Sequence, residues 1–224
     1  MRHLLVSHAV AIALAATVRV MGEVVGDRYR VAIGSQAIEL PIVPISDARA
    51  ISLLMTIDVG VGFITAAGAD LARAIADTQP DIVASAATLG IPVAIEVTRS
   101  LGLDDYLILQ KTAKIHLADA LSEPLSSITT AGPQRLLLDR ARIPAVAGKR
   151  VALVDDVIAT GGSIRACASL LRAAGAEVVV IGSLLVEGSG WRDALGGDAH
   201  LVRSLGRIPL FDADGEGGWQ ESWD

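Results

Sequence analysis

The string Val151-Ala152-Leu153-Val154-Asp155-Asp156-Val157-Ile158-Ala159-Thr160-Gly161-Gly162-Ser163 carries the strongest local signal in the chain. Its four opening apolar residues predict a strand buried on both faces, the habit of a parallel sheet covered by helices. Two acids then stand at the carboxyl end of that strand, where open α/β sheets place their ligands. The next turn combines a hydroxyl with two glycines and opens a helix from about Ser163 to Ala174. Free backbone N–H groups and the positive helix end can cradle phosphate oxygens there, and Thr160 and Ser163 add side-chain donors. The Gly-x-Gly-x-x-Gly spacing of dinucleotide sites and the Gly-Lys-Ser/Thr ending of triphosphate loops are both missing. A ligand with a phosphate and vicinal hydroxyls fits the string: backbone groups take the phosphate and the paired acids accept from a diol.

Outward from this string, the chain repeats a strand, helix, strand rhythm. Short strands are predicted at Ile82 to Ala84, Tyr106 to Leu109, Val151 to Val154 and Val178 to Ile181, and helices at Ala66 to Asp77 and Ile91 to Ser100. The expected fold class is α/β, a mostly parallel sheet flanked by helices on both faces. Arg28 to Ile33 and Ala37 to Leu40, separated by Gly34 and Ser35, read as a small hairpin. The stretch from Lys111 to Lys149 holds Pro124, Gly132, Pro133, Pro144 and Gly148 together with Ser126, Ser127, Thr129 and Thr130, so no ordinary helix crosses it. A local ribbon around Leu136 to Leu138 and a long functional connection are expected, with an idle surface excursion as the alternative. Three parts follow: an opening unit 1–58, a core 59–185 with a loop at about 112–136, and a closing segment 186–224.

Composition narrows the function. With 52% hydrophobic residues, 20% charged residues and 22 glycines among 224, the chain is neither disordered nor collagen-like. Nineteen basic against 25 acidic side chains leave a net charge of -6, so no nucleic-acid partner is expected and a phosphate must be met by a local site. One cysteine and four scattered histidines exclude a disulfide framework and a zinc cluster and suit a reducing cytoplasm. The apolar run Leu4 to Val18 invites comparison with a signal peptide, but it is broken by Ser7 and His8 and is too short for a membrane span, so a buried element is expected. Aromatic residues make up only 3%, which leaves aliphatic side chains to fill the core.

Residues 151 to 163 resemble the phosphoribosyl-pyrophosphate-binding motif of type I phosphoribosyltransferases, and the likeness extends over roughly residues 60 to 185. The resemblance implies that Asp155 and Asp156 hold ribose hydroxyls, and that Ala159, Thr160, Gly161, Gly162 and Ser163 wrap the ribose 5-phosphate. It gives the turn of Ser85, Ala86, Ala87, Thr88, Leu89 and Gly90 the place of the family's pyrophosphate loop, in which one peptide is often strained or cis; an ordinary strand-to-helix turn is the competing view. Lys111 and Lys114 take the place of the basic entrance to a catalytic loop, although many relatives have Arg where this chain has Gln110. The loop would then fold over bound substrates, with Ser126 to Thr130 entering the site. Mg²⁺, bound mainly through the donor, is the implied cofactor.

By the same resemblance the acceptor is a purine base, adenine ahead of guanine, hypoxanthine and xanthine. Glu187 is expected to meet a base edge, with Trp191 or Phe63 as a ring near it. The competing views are a surface acid, a ring in the core of a terminal hood and a packed Phe. A hood built from both terminal segments, a homodimer, a cytoplasmic location and no membrane partner complete the implied picture. A regulator that binds phosphoribosyl pyrophosphate or a nucleotide without transfer is the alternative, and a purely structural protein would leave the phosphate-and-diol string unexplained.

Overall fold

The computed structural model describes residues 22–112, 119–125 and 134–224. Leu4 to Val18, Lys114 and Ser126 to Thr130 lie outside the described residues. In chain order the elements are β1 (Glu23–Val25), β2 (Arg28–Ile33), β3 (Gln36–Ser46), β4 (Arg49–Ser52), α1 (Val61–Ile75), β5 (Ile82–Ala86), α2 (Gly90–Ser100), β6 (Tyr106–Leu109), β7 (Leu121–Leu125) and β8 (Gln134–Leu138). They continue with α3 (Ile143–Val146), β9 (Arg150–Ile158), α4 (Gly162–Ala173), β10 (Glu177–Glu187), α5 (Trp191–Leu195), β11 (Val202–Ile208), β12 (Leu210–Ala213) and β13 (Trp219–Ser222).

The central sheet is parallel, in the order β11-β10-β9-β5-β6. Helices cover both faces, as the strand-helix rhythm predicts. The helices α1 and α2 pack on one face, where Ile64, Ala67, Leu71 and Ile75 of α1 follow helical spacing into the core. The helix α1 begins at Val61, ahead of the expected Ala66, and ends in a short 3-10 turn at Ala76–Thr78. Gly68 lets the two helices approach closely, because a Cβ there would overlap Glu96 Cβ. On the opposite face α4 buries Ile164, Cys167, Ala168 and Leu171 against the sheet and against the β7-β8 ribbon.

Strands β9 and β10 run longer than the apolar runs alone suggest. Their register pairs Ser183 with Asp155, Leu185 with Val157 and Val186 with Ile158, so the two acids belong to the strand itself rather than to the turn after it. The same extension makes Glu187 the last residue of a core strand. The expected ribbon is present as β7 paired with β8, and Leu136, expected at the end of the long loop, is a fully buried strand residue. A backbone bridge between Gln110 and Leu137 (2.9 and 2.8 Å) fastens the end of β6 to this ribbon.

The hairpin foreseen at residues 28–40 is one part of a six-stranded sheet, β1-β2-β3-β4-β12-β13, that joins the two ends of the chain. Residues 186–224 divide between the sheets, with β11 at the edge of the parallel one and β12 and β13 in the hood. The hood has no core of its own. Its Tyr29, Val31, Ile33, Leu40 and Phe211 are buried in one cluster with α1 and with Ala152, Val154, Leu184 and Leu185 of the parallel sheet, and Tyr29 meets Phe211 edge-on at 5.5 Å. A polar tie adds to this seam: Asp70 of α1 accepts from the Ser35 N–H at 2.6 Å and pairs with Arg73.

Gly206 of β11 marks the closest approach of hood and sheet, since a Cβ there would run into the Ala32 carbonyl oxygen and come within 3.0 Å of Leu185 Cδ2. The obstructing atom is backbone and cannot rotate away. Gly206→Ala is therefore expected to cost about 1–3 kcal/mol, the range for overpacking a close-packed site. Urea midpoints measure it, and an unchanged midpoint would show that the hood gives way freely.

Candidate functional site

A cavity of about 220 Å³ opens at the carboxyl ends of β5, β6, β9 and β10, roofed by the hood. Four segments line it: Ile51 to Leu54 from β4 and its exit, Ala86 to Gly90 from the turn after β5, Asp155 to Gly161 with Ser163 and Ile164 from β9 into α4, and Glu187 from β10. Lys111 stands at its exposed edge, placed by the Gln110 bridge to β8. Three separate sequence signals, the paired acids, the small-residue turn and the lysine after β6, thus meet in one space.

The acids are the electrostatic centre. Burial, then the neighbouring Asp156 charge, raise Asp155 well above the ordinary carboxylate range, and burial also raises Asp156. Lys111 acts on both in the opposite sense. Two adjacent desolvated carboxylates therefore favour donors and cations in the cavity. Next to them, Gly161 adopts φ 77° and leads into α4, whose first residue is Gly162. A side chain at Gly161 would come within 2.9 Å of the Trp191 carbonyl oxygen, so the turn is pressed against α5. Thr160 is exposed at the start of this turn, and its Oγ1 lies 3.5 Å from the Gly162 N–H.

The turn after β5 is fixed from outside. Thr56, itself buried, donates to the Leu89 carbonyl at 2.6 Å, and the Ala87 N–H is already given to the Leu109 carbonyl at 2.9 Å. The Ala87–Thr88 peptide is cis. Ala86, Ala87 and Thr88 face the cavity, whereas Ser85 is fully buried behind it. A Cβ on Gly90 would overlap Ser85 Oγ and lie 2.6 Å from Asp155 Oδ1, so the bare glycine is what allows this hydroxyl and this carboxylate to share one corner.

At the hood end, Glu187 is only 6% exposed, and burial pushes its carboxyl up to about 7. The two rings named for the base lie elsewhere. Trp191, 4% exposed, packs in the core on the α4 face with Arg192 stacked on it at 4.4 Å, and Phe63 is half-buried against the hood-side core. Among the described residues the hood end of the cavity has an aliphatic lining in Ile51, Leu53, Leu54, Val157 and Ile158. Sequence reasoning missed Ile51 to Leu54 and Thr56, whereas Leu89 and Gly90 close the turn it named. The hood residues are an ordinary apolar run that enters the site only because β4 pairs with β12 and β3. No group of three or more metal-ligating side chains occurs among the described residues, nor does a helix long and apolar enough to cross a membrane.

Glu187 carries a stability consequence whose sign is fixed by its raised value. The folded protein keeps a proton that the unfolded chain releases near 4.5, so this stabilisation is complete below that pH and is lost as pH rises through about 7. Glu187→Gln should therefore raise the unfolding free energy by up to about 3 kcal/mol at about pH 8. The gain should shrink toward zero at about pH 4.5 in urea titrations of the ligand-free protein, and a gain of equal size at both ends would contradict the burial of an ionisable group.

Comparison with known proteins gives these features a context. A family profile described as "Phosphoribosyl transferase domain" matches residues 62–203. The chain is 37% identical over 124 residues to an adenine phosphoribosyltransferase of Gluconobacter oxydans, a stretch that is 54% of this chain and 64% of that enzyme. It is 31% identical over 114 residues to a hypoxanthine/guanine phosphoribosyltransferase of Methanococcus voltae, covering 51% of this chain and 57% of that one. Each alignment thus spans less than two thirds of the relative's length. In fold, the crystal structure of an adenine phosphoribosyltransferase from Thermoanaerobacter pseudethanolicus superposes with a TM-score of 0.59 at 23% identity, over 74% of this chain and 94% of that one.

Proposed function

Because the chain belongs to the phosphoribosyl transferase domain family, we propose that its cavity transfers the 5-phosphoribosyl group from phosphoribosyl pyrophosphate to a purine base, adenine in the first place. The observation that carries this proposal is the meeting, in one cavity, of a buried carboxylate pair, a glycine turn at a helix start, a second small-residue turn and Lys111. Each matches one part of the donor. Asp155 and Asp156 accept from the ribose hydroxyls, and the amides and hydroxyls of Ala159 to Ser163 take the 5-phosphate at the α4 end. The turn Ala86 to Gly90, with Lys111 at its side, faces the pyrophosphate, and Lys114 is assigned to the same charge. Ser85 supports this turn from behind.

In the reaction the anomeric C–O bond breaks, the pyrophosphate leaves with the electron pair, and a ring nitrogen of the base forms the new C–N bond and gives up its proton. The chain's part is to hold donor and acceptor in line and to match the charge that develops on the ribose and the leaving group. The hood roof over the cavity restricts water, which would otherwise compete with the base. Glu187 and the aliphatic wall of Ile51, Leu53 and Leu54 form the base end. Two adjacent carboxylates raised by burial fit a cationic ligand, so Mg²⁺ held by Asp155 and Asp156 through the donor's ribose oxygens would supply neutralisation of the pyrophosphate. A homodimer and a cytoplasmic location are part of the same proposal and rest on the family resemblance.

Incubation with phosphoribosyl pyrophosphate, Mg²⁺ and a panel of adenine, guanine, hypoxanthine, xanthine, orotate and uracil is the direct test. Base-dependent formation of a nucleoside monophosphate and pyrophosphate in equal amounts is expected, fastest with adenine. Tight donor binding without product from any base would instead identify a regulatory binder. Replacing Asp155 and Asp156 together with Asn should lower kcat/KM for the donor by at least about a hundredfold, given charge-assisted hydrogen bonds worth about 1.5–3 kcal/mol each. Unchanged donor kinetics in that variant would remove the acids from the ribose site.

A further inference from the structure

We infer that Glu187 selects the base by its protonation state, accepting as a neutral acid rings whose edge sets a hydrogen-bond donor beside an acceptor and turning, when ionised, to rings that present two adjacent donors. The inference rests on the phosphoribosyl-transfer reading of the cavity and deepens it.

The geometry starts from position. Glu187 ends β10 at the hood side of the cavity, 6% exposed, with Ile51, Leu53 and Leu54 across from it and Val157 and Ile158 on the neighbouring strand. Among the described residues no cation forms an ion pair with it and no side chain is hydrogen-bonded to its carboxyl. The charged groups on the elements around it include Asp224, whose backbone oxygen lies 3.4 Å from where a Cβ on the adjoining Gly188 would sit. Asp155, Asp156 and Lys111 line the same cavity at the donor end. Arg207 on β11, in register with Val186, lies over the Trp223 ring at 5.3 Å, and Arg192 of α5 lies over Trp191. Both guanidinium groups lie over rings, and hood strand β4 contributes Ser52 as its polar side chain in the cavity lining. Burial alone then pushes the carboxyl up to about 7.

A neutral carboxyl offers one donor and one acceptor at fixed spacing, and a carboxylate offers two acceptors. The neutral form pairs with the amino group and adjacent ring nitrogen of a 6-aminopurine, and equally with the ring N–H and oxygen of a 6-oxopurine. The ionised form pairs with two adjacent donors, such as the ring N–H and 2-amino group of guanine. In an aliphatic slot a mismatched edge leaves a buried polar group unpaired, which is how a site discriminates strongly between similar ligands. One proton therefore changes which base edge fits, with no movement of the chain.

The test measures kcat/KM for adenine and for guanine with the intact protein, Mg²⁺ and saturating donor between about pH 6 and pH 8, in the wild type and in Glu187→Gln. Glutamine also presents one donor and one acceptor but does not titrate. The expected result is an adenine-over-guanine ratio that falls about tenfold across this range in the wild type, the scale of one hydrogen bond, with its midpoint near 7. In Glu187→Gln the ratio should stay at its acidic value throughout. A flat ratio in the wild type, or the same fall in the glutamine variant, would overturn the inference. Equilibrium binding of AMP and GMP over the same pH range reads the same preference without turnover. Selectivity that follows pH in binding while no base is converted would sink the transfer proposal and uphold Glu187; turnover of adenine with pH-flat selectivity would do the reverse.

Discussion

Two carboxylates side by side at the end of a strand buried on both faces are an arrangement that a folded chain tolerates only with compensation. Asp155 and Asp156 lose hydration where β9 is clasped between β5 and β10, and the Asp156 charge adds to the cost of ionising Asp155. Among the described residues, the Asp156 N–H donates to Asp155 Oδ1 at 3.1 Å and Lys111 supplies a positive charge at the cavity's edge. What remains uncompensated is a demand for donors and cations inside the cavity. The sugar diol and metal-bearing pyrophosphate of the proposed donor would answer that demand.

The cavity depends on a hood that could not stand alone. Strands from both ends of the chain build it, yet its large side chains are buried against α1 and the parallel sheet in a common cluster. The hood and the parallel-sheet core are therefore joined by packing, and the roof over the cavity is set by the same contacts that stabilise the fold. Thr56 extends this coupling into the site, because its bond to the Leu89 carbonyl holds the turn after β5 from the hood side. Gly206 and Gly34 mark where backbone and side chain come too close for any Cβ, the first against Ala32 and the second against Asp70.

How much of this was legible in the sequence follows from the range of the interactions involved. The string from Val151 to Ser163 is local: strand, acids, glycine turn and helix start are contiguous, and the structure keeps them so with a strand that simply runs further, to Ile158. The helices α1, α2 and α4, the parallel character of the sheet and a ribbon around Leu136 to Leu138 were also within reach of periodicity and turn residues. Ile51 to Leu54 were not, since nothing in an aliphatic run says which cavity it will wall; only the pairing of β4 with β12, some 160 residues away, brings it there. Trp191 shows the opposite failure. A ring four residues after a core strand looks available for stacking, but α5 packs against α4 and the Gly161 turn, and Trp191 is buried there.

The scarcity of aromatic residues gains a physical meaning from that placement. Tyr29 and Phe211 are committed to the hood seam and Trp191 to the α4 face, so the base end of the cavity is walled by branched aliphatic side chains. Such walls hold a flat ring by area and shape, and they discriminate weakly among rings of similar size. Discrimination must then come from the few polar groups on the rim of the slot. Glu187 is the buried titratable group there, and its burial serves two ends: it keeps the carboxyl neutral enough to donate, and it makes every unmatched edge costly. A site with a stacking ring would gain affinity for any purine. An aliphatic slot closed by one buried acid trades that general affinity for dependence on hydrogen-bond pattern, and ties the choice of base to the proton on a single side chain.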